Sequence, residues 1–269
     1  MKPYHTTQRG HIYRARAEDV YPHLPDRSCS LVIWDGPYNM RKADWDKFDS
    51  WDAFRDWYRP HLEALDRVAC EAASLYVWGT NRSAGALRDL IESAGWAYKG
   101  TVTWDKRQTP ALLAGDSVRT WPDAVEVCDL WTRGRAPFTL QRDRDGTWCK
   151  NVWRLNASNA NSPLVRERLR SGPLVIGKNK NRPMLQRPTH PCQKPLIFWS
   201  RIIYASSHTG DTVLEPFGGT CRSALACLDL PEGHARRYVC IEPDEDGRDY
   251  LGAVVKSLRE RQPTLWGVR

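Results

Sequence analysis

Apolar residues fall into short continuous runs separated by longer stretches with helical spacing. Residues 31–34 (Leu-Val-Ile-Trp) form an unbroken run, the pattern of a parallel strand covered on both faces. Over residues 52–70, Phe54, Trp57, His61, Leu65, Val68 and Ala69 recur at intervals of three and four or next to one another, which predicts a helix. A strand is predicted at 74–78, a helix at 83–94 stopped by Gly95, an alternating strand at 97–104 and another at 125–131. A short strand at 11–15 precedes Asp19. Between 132 and 189 the pattern dissolves into loop composition and a basic, Pro-containing stretch. Order returns with a helix entered through Pro195 and running to about 207, a strand at 212–214, a helix at 222–230, a strand at 238–242 and a helix at 244–261. Strands alternating with helices predict an α/β chain with a doubly wound, mostly parallel sheet.

Two predicted strands end in turns that carry chemistry. The first is Trp34-Asp35-Gly36-Pro37-Tyr38: an acid, two turn residues and an aromatic. The second is Leu214-Glu215-Pro216-Phe217-Gly218-Gly219-Thr220-Cys221, an acid and a glycine turn that opens a helix. Ligand sites of open α/β sheets form beyond such strand ends, so one turn is expected for a cofactor and the other for a substrate. Glycines admit a ligand close to the backbone, and free N–H groups at a helix start favour an anionic group. Glu242, ending the next strand, is placed to accept both hydroxyls of a ribose. Neither G-x-G-x-x-G nor G-K-[ST] follows the turn, which disfavours a dinucleotide or a nucleoside triphosphate.

With Thr189-His190-Pro191-Cys192-Gln193-Lys194-Pro195 ahead of the second turn, the chain resembles the amino-directed DNA methyltransferases of permuted β motif order. The resemblance covers roughly residues 11–106 and 189–260. In that family a DPPY-type catalytic motif precedes the target-recognition region, and a DPFxGSGTT-type cofactor motif comes last. It implies a fold of the S-adenosylmethionine-dependent methyltransferase type, with catalytic segments 1–106 and 189–269 around a basic target-recognition insert at 107–188. It implies S-adenosylmethionine as cofactor and no metal. Glu215, Phe217, Gly218, Gly219, Thr220 and Cys221 would hold the methionine end, with Lys194 near it. Glu242 would take the ribose and Asp19 the adenine amino group. The chain departs from the family at Gly36, where proline is usual, at Glu215, where aspartate is, and at Cys221, where glycine is. A positive φ at Cys221 would be strained.

Methylating an exocyclic amine is hard because its lone pair is delocalised into the ring, so the protein's task is alignment and electrostatics. Asp35 is expected to accept one amino hydrogen and the Gly36 carbonyl the other. Beyond Pro37, Tyr38 offers a face for a base taken out of the duplex. Asn39 and Asp44-Trp45-Asp46-Lys47-Phe48 continue the likeness as a candidate loop over the base. Trp45 or Phe48 would fill the vacated stack, or else sit in the core.

Charge adds a partner. The formal net charge is +8, and residues 133–190 alone carry +10, with 13 Lys/Arg against three acids. That concentration fits a polyanion, here double-stranded DNA. Arg133, Arg135, Arg142, Arg144, Lys150 and Arg154 interleave with Phe138, Trp148 and Trp153, a mixture suited to phosphate contact and stacking. The eight cysteines form no C-x-x-C pair, as expected of buried or incidental thiols rather than of zinc or disulfides. With no long apolar stretch and no apolar signal core in the opening residues, no membrane association is expected. The expected setting is a bacterial or phage-encoded, cytoplasmic, DNA-associated protein of restriction-modification type, alone or as a homodimer. The leading reading is sequence-specific methylation of adenine N6, since an acid opens the catalytic motif and Asn39 follows its aromatic. Cytosine N4 is the alternative within the same chemistry, and RNA an alternative substrate. A catalytically inactive DNA-binding protein retaining the fold is the alternative from another class.

Overall fold

A computed structural model describes residues 1–106, 123–142, 146–155, 194–244 and 249–261, with backbone alone at 175–179, 182–186 and 260–261. The chain begins with the hairpin β1 (His5–Thr7) and β2 (Gly10–Tyr13), followed by α1 (Ala17–Val20), β3 (Cys29–Trp34), α2 (Trp51–Val68), β4 (Ala69–Gly79) and α3 (Asn81–Ser93). Strands β5 (Ala97–Asp105), β6 (Val125–Arg133) and β7 (Val152–Arg154) come next, then a separate hairpin of β8 (Val175–Asn179) and β9 (Arg182–Gln186). The C-terminal part is α4 (Leu196–Ser206), β10 (Thr212–Glu215), α5 (Arg222–Asp229), β11 (Arg237–Ile241) and α6 (Tyr250–Arg261).

Nine strands form one sheet in the order β1-β2-β11-β10-β3-β4-β6-β5-β7. The run from β2 to β4 is parallel, β6 lies antiparallel between β4 and β5, and β7 adds in parallel at the edge. Side-chain alternation divides each buried strand between two cores. Leu31, Ile33, Tyr76, Trp78, Val213 and Tyr238 face α4, α5 and α6, whereas Val32, Trp34, Leu75, Val77, Leu214 and Ile241 face α1, α2 and α3. This is the doubly wound arrangement the apolar runs predict. Ser50 caps α2 by accepting the Ala53 amide, and Thr80 with Ser83 forms a capping box on α3.

β3 leads to β4 on one side and β10 leads to β11 on the other, yet β3 and β10 are neighbours, with Val213 beside Leu31 and Leu214 beside Val32. Their carboxyl ends therefore open on one crevice, the switch point where such sheets bind ligands.

The stretch read as structureless contains β7 and the β8–β9 hairpin, and β6 lies inside the proposed insert 107–188. The predicted strand at 125–131 is therefore part of the main sheet although it falls inside that segment. Three residues are too few to show a period, and Pro183, tolerable in a strand at an edge, masks β9. No described helix is long and apolar enough to cross a membrane.

Candidate active site

One cavity of about 840 Å³ spans the ends of β3, β10 and β11 and is lined by both motif turns. Asp35, Gly36, Pro37 and Tyr38 form one wall, and Glu215, Phe217, Gly218, Gly219, Thr220 and Glu242 another, with Lys194 between them. Such a volume is within the range of small-molecule sites, at its upper end.

Asp46 organises the catalytic turn. Its buried carboxylate accepts the amides of Tyr38 (2.6 Å), Met40 (3.1 Å) and Lys42 (3.2 Å), folding residues 38–46 around itself. Asn39, with a left-handed φ of 57°, accepts the Phe48 amide, and Phe48 packs edge-on against Phe54 and Trp57. Phe48 is thus partly buried and packs against the core. Trp45, 40 % exposed, lines the cavity. The Tyr38 hydroxyl donates to Asp35 Oδ1 at 2.7 Å, and the Tyr58 hydroxyl donates to the Pro37 carbonyl at 3.0 Å.

Gly36 has a steric cause. A Cβ there would lie far inside contact distance of the Tyr58 hydroxyl and 2.9 Å from Cδ2 of Phe217. Gly36 is not among the positive-φ glycines, so the position requires space rather than backbone freedom.

The glycine turn is held from below. Glu215, 1 % exposed, accepts from Trp199 Nε1 (2.7 Å), the Ser223 amide (2.9 Å) and the Cys240 thiol (3.3 Å). Burial raises its pKa to about 7, against those hydrogen bonds. Although it borders the cavity, its carboxylate is engaged by the protein in fixing the turn. Gly219 adopts φ 49° and donates its amide to Glu242 at 2.7 Å. Cys221, also expected among the cofactor contacts, is fully buried and absent from the cavity wall. It caps α5 with φ 47° and ψ 55°, the left-handed geometry that costs a non-glycine residue about 1–2 kcal/mol. Phe217 rests in an aromatic box, its ring 4.9 Å from His61, 5.3 Å from Trp57, 5.9 Å from Tyr58 and 6.1 Å from Trp34. Burial lowers the His61 pKa to about 4, so this box carries no charge at neutral pH.

Two other expectations are corrected, at Asp19 and at Arg133. β2 stops at Tyr13, so Asp19 does not end a strand; it is exposed on α1 and does not line the cavity, whereas Arg16 and Glu18 do. Lys194, expected near the cofactor, lines the cavity while only 2 % exposed, with its ammonium on Asp35 Oδ1 and 3.4 Å from Glu126 Oε2. Arg133 turns inward. It donates to the carbonyls of Leu65 and Cys70, pairs with Asp66 and stacks over Trp96, so it is unsuited to DNA contact.

The remaining basic residues differ in setting. Arg135 and Lys150 are exposed. Arg154 lies 3.6 Å from Asp105, and Arg142 stacks 3.8 Å over the ring of half-exposed Trp148. Arg144 lies outside the described residues. Sequence reasoning missed Glu18, Tyr58 and Glu126, and named Asp46 only within the loop over the base.

The "DNA methylase" family model for N6 and N4 enzymes matches residues 29–120 and 123–250. Among curated proteins, the type II methyltransferase M1.MboII of Moraxella bovis is 26 % identical over 250 residues, covering 81 % of this chain and 87 % of that protein. The type II methyltransferase M2.MboI of the same organism is 22 % identical over 289 residues, covering 98 % and 94 %. Among solved structures, the cytosine-N4-specific PvuII DNA methyltransferase superposes with a TM-score of 0.71 at 16 % identity, covering 95 % of this chain and 88 % of that one. M1.HpyAVI in complex with SAM superposes with a TM-score of 0.56 at 18 % identity, covering 92 % and 98 %. With a family match spanning most of its length and both motif turns in one cavity, the chain belongs to the N6/N4 amino-directed DNA methylase family.

Proposed function

We propose that this protein transfers a methyl group from S-adenosylmethionine to the N6 amine of adenine at a specific sequence in double-stranded DNA. The observation that carries this reading is the single cavity joining the Asp35 turn to the glycine turn. The cavity fits the cofactor: Gly218, Gly219 and Glu242 all line it, and a Cβ on Gly218 would meet the Ile241 carbonyl at 3.0 Å, so the glycine lets the turn pack close against β11. When bound, the cofactor's sulfonium supplies the electrophilic methyl.

The chain's own residues do the rest. Glu242 takes the ribose hydroxyls, Phe217 gives the adenine moiety an apolar wall, and Glu18 replaces Asp19 as the acid toward its amino group. Asp35 accepts one hydrogen of the target amine and the Gly36 carbonyl the other, aligning the lone pair. The Tyr38 ring carries the extracted base, with Trp45 over it. An acid in the first motif position favours adenine. Mass spectrometry of nucleosides from DNA incubated with the enzyme tests this: N6-methyladenine is expected, N4-methylcytosine would move the target, and no methylated nucleoside would refute the activity.

Glu242→Ala is expected to weaken S-adenosylmethionine binding about tenfold, as losing a hydrogen bond to a charged group does. DNA affinity without cofactor should stay unchanged. Calorimetry checks both, and normal cofactor affinity would remove Glu242 from the site.

DNA contact is assigned to the exposed Arg135, Arg142, Lys150 and Arg154. DNA affinity should fall with salt, with a log–log slope near −0.9 per phosphate neutralised. Reversing Arg142 and Lys150 to Glu should flatten the slope and lower affinity while sparing cofactor binding. Wild-type salt dependence in that double variant would place the DNA elsewhere.

A further inference from the structure

Four charged side chains from separate segments meet behind the catalytic turn. Asp35 follows β3, Lys194 precedes α4, Glu126 lies on β6 and Lys106 follows β5. The Lys194 ammonium contacts Asp35 Oδ1 and lies 3.4 Å from Glu126 Oε2, while Glu126 Oε1 pairs with Lys106. The rings of Tyr38 and Trp78 flank the ammonium, with centroids 5.0 and 5.3 Å away. An ammonium this buried requires anions and ring faces to replace water.

With Asp35 as its only carboxylate partner, Lys194 would draw on that acid alone, and the acid would have less charge to offer a substrate amine. Glu126 divides this demand. Burial by itself would raise the pKa of Glu126, but Lys194, Lys106 and Lys42 bring it below its ordinary value, so the second anion persists. Both hydrogen bonds that Asp35 accepts from described residues, from Tyr38 and Lys194, fall on Oδ1. We propose that Glu126 is a positioning residue for methyl transfer, sharing the buried Lys194 ammonium with Asp35 so that Asp35 keeps Oδ2 for the amine. The proposal rests on the methyltransferase reading of the Asp35 turn.

Other titratable groups act on this cluster. Tyr58 from α2 and Cys128 from β6 lie in the field of Asp35, and both are pushed up by burial. Glu215 from β10 also feels Asp35. A direct reading of Lys194 is therefore preferable to a rate profile alone.

The test follows the 13Cε signal of Lys194 through a pH titration of cofactor-free full-length protein, the signal being assigned by its loss in Lys194→Arg. Glu126→Gln removes one anion and should lower the deprotonation midpoint by about one pH unit or more. Lys106→Met removes a competing cation and should raise it. A purely structural role would not move the midpoint in opposite directions. In methyl transfer, Glu126→Gln should lower kcat about tenfold or more with KM for cofactor unchanged, and Glu126→Asp should recover part of the loss. An unmoved midpoint with wild-type kcat in Glu126→Gln overturns the proposal. If that variant does not fold, failure of Lys106→Met to raise the midpoint overturns it instead. A wild-type protein that methylates no DNA refutes the enzymatic reading, and with it the catalytic role of Glu126; the titration then judges the charge sharing alone.

Discussion

Asp35→Ala is expected to lower methyl transfer to DNA by about 10²–10³, the typical cost of losing one preorganised polar contact at a reacting centre. Cofactor affinity should stay nearly intact, because Asp35 stands on the catalytic turn and the cofactor's expected contacts lie on the glycine turn and at Glu242. Folding should survive, since Lys194 retains Glu126 as a carboxylate partner and the turn is held from its other side by Asp46. Single-turnover transfer of labelled methyl, with calorimetry of cofactor binding, separates these effects. Turnover close to wild type would end the catalytic assignment.

The second large effect concerns Gly36. Restoring the family's proline should damage this protein rather than improve it, because the space a Cβ needs is occupied by the Tyr58 hydroxyl and the Phe217 ring. Gly36→Ala isolates the steric part and should cost about 1–3 kcal/mol, as overpacking does. At this chain length that lowers Tm by roughly 2–4 °C per kcal/mol. Gly36→Pro should cost at least as much and weaken cofactor binding by displacing Phe217. Tyr58→Phe alone loses the bond to the Pro37 carbonyl, about 0.5–1.5 kcal/mol. Combined with Gly36→Ala it should recover part of the loss, because the closest clash is gone. Strictly additive effects in thermal unfolding would refute this cause for the glycine.

The parts of the fold legible in the sequence were those in which burial on both faces leaves an unbroken apolar run. β3 and β10 belong to this class, and each is followed by its acid and turn. The helices α2 and α3 carried the three-and-four spacing of a half-buried surface. Positions that depend on direction rather than pattern were not legible. Once β2 ended at Tyr13 and α1 began, successive residues pointed about 100° apart, so an offset of one residue put Glu18 at the cavity and Asp19 in solvent. Glu126, between Val125 and Val127, looks like the outward position of an alternating strand; only the fold brings Lys194 to it. Arg133 opens a basic stretch, and nothing local shows that its partners are carbonyls near the junction of α2 and β4. At Cys221 the residue type did carry the signal, since the family glycine implied the left-handed φ that the cysteine adopts.

The antiparallel placement of β6 beside β5 bears on how such a protein diversifies. β5 ends at Asp105 and β6 begins at Val125, and the Lys106 amide donates to the Ala124 carbonyl at 3.0 Å. Asp105 pairs with Val125 one step further in. A backbone bond thus holds the two strands together one step beyond their last ladder pair. Closure entropy of a flexible connection grows only logarithmically with its length, so strand ends fixed in this way tolerate connections of different lengths at little cost. Segments of relatives joined between Lys106 and Ala124 would therefore leave the register of β5 and β6 intact, and with it the placement of Glu126 against Lys194.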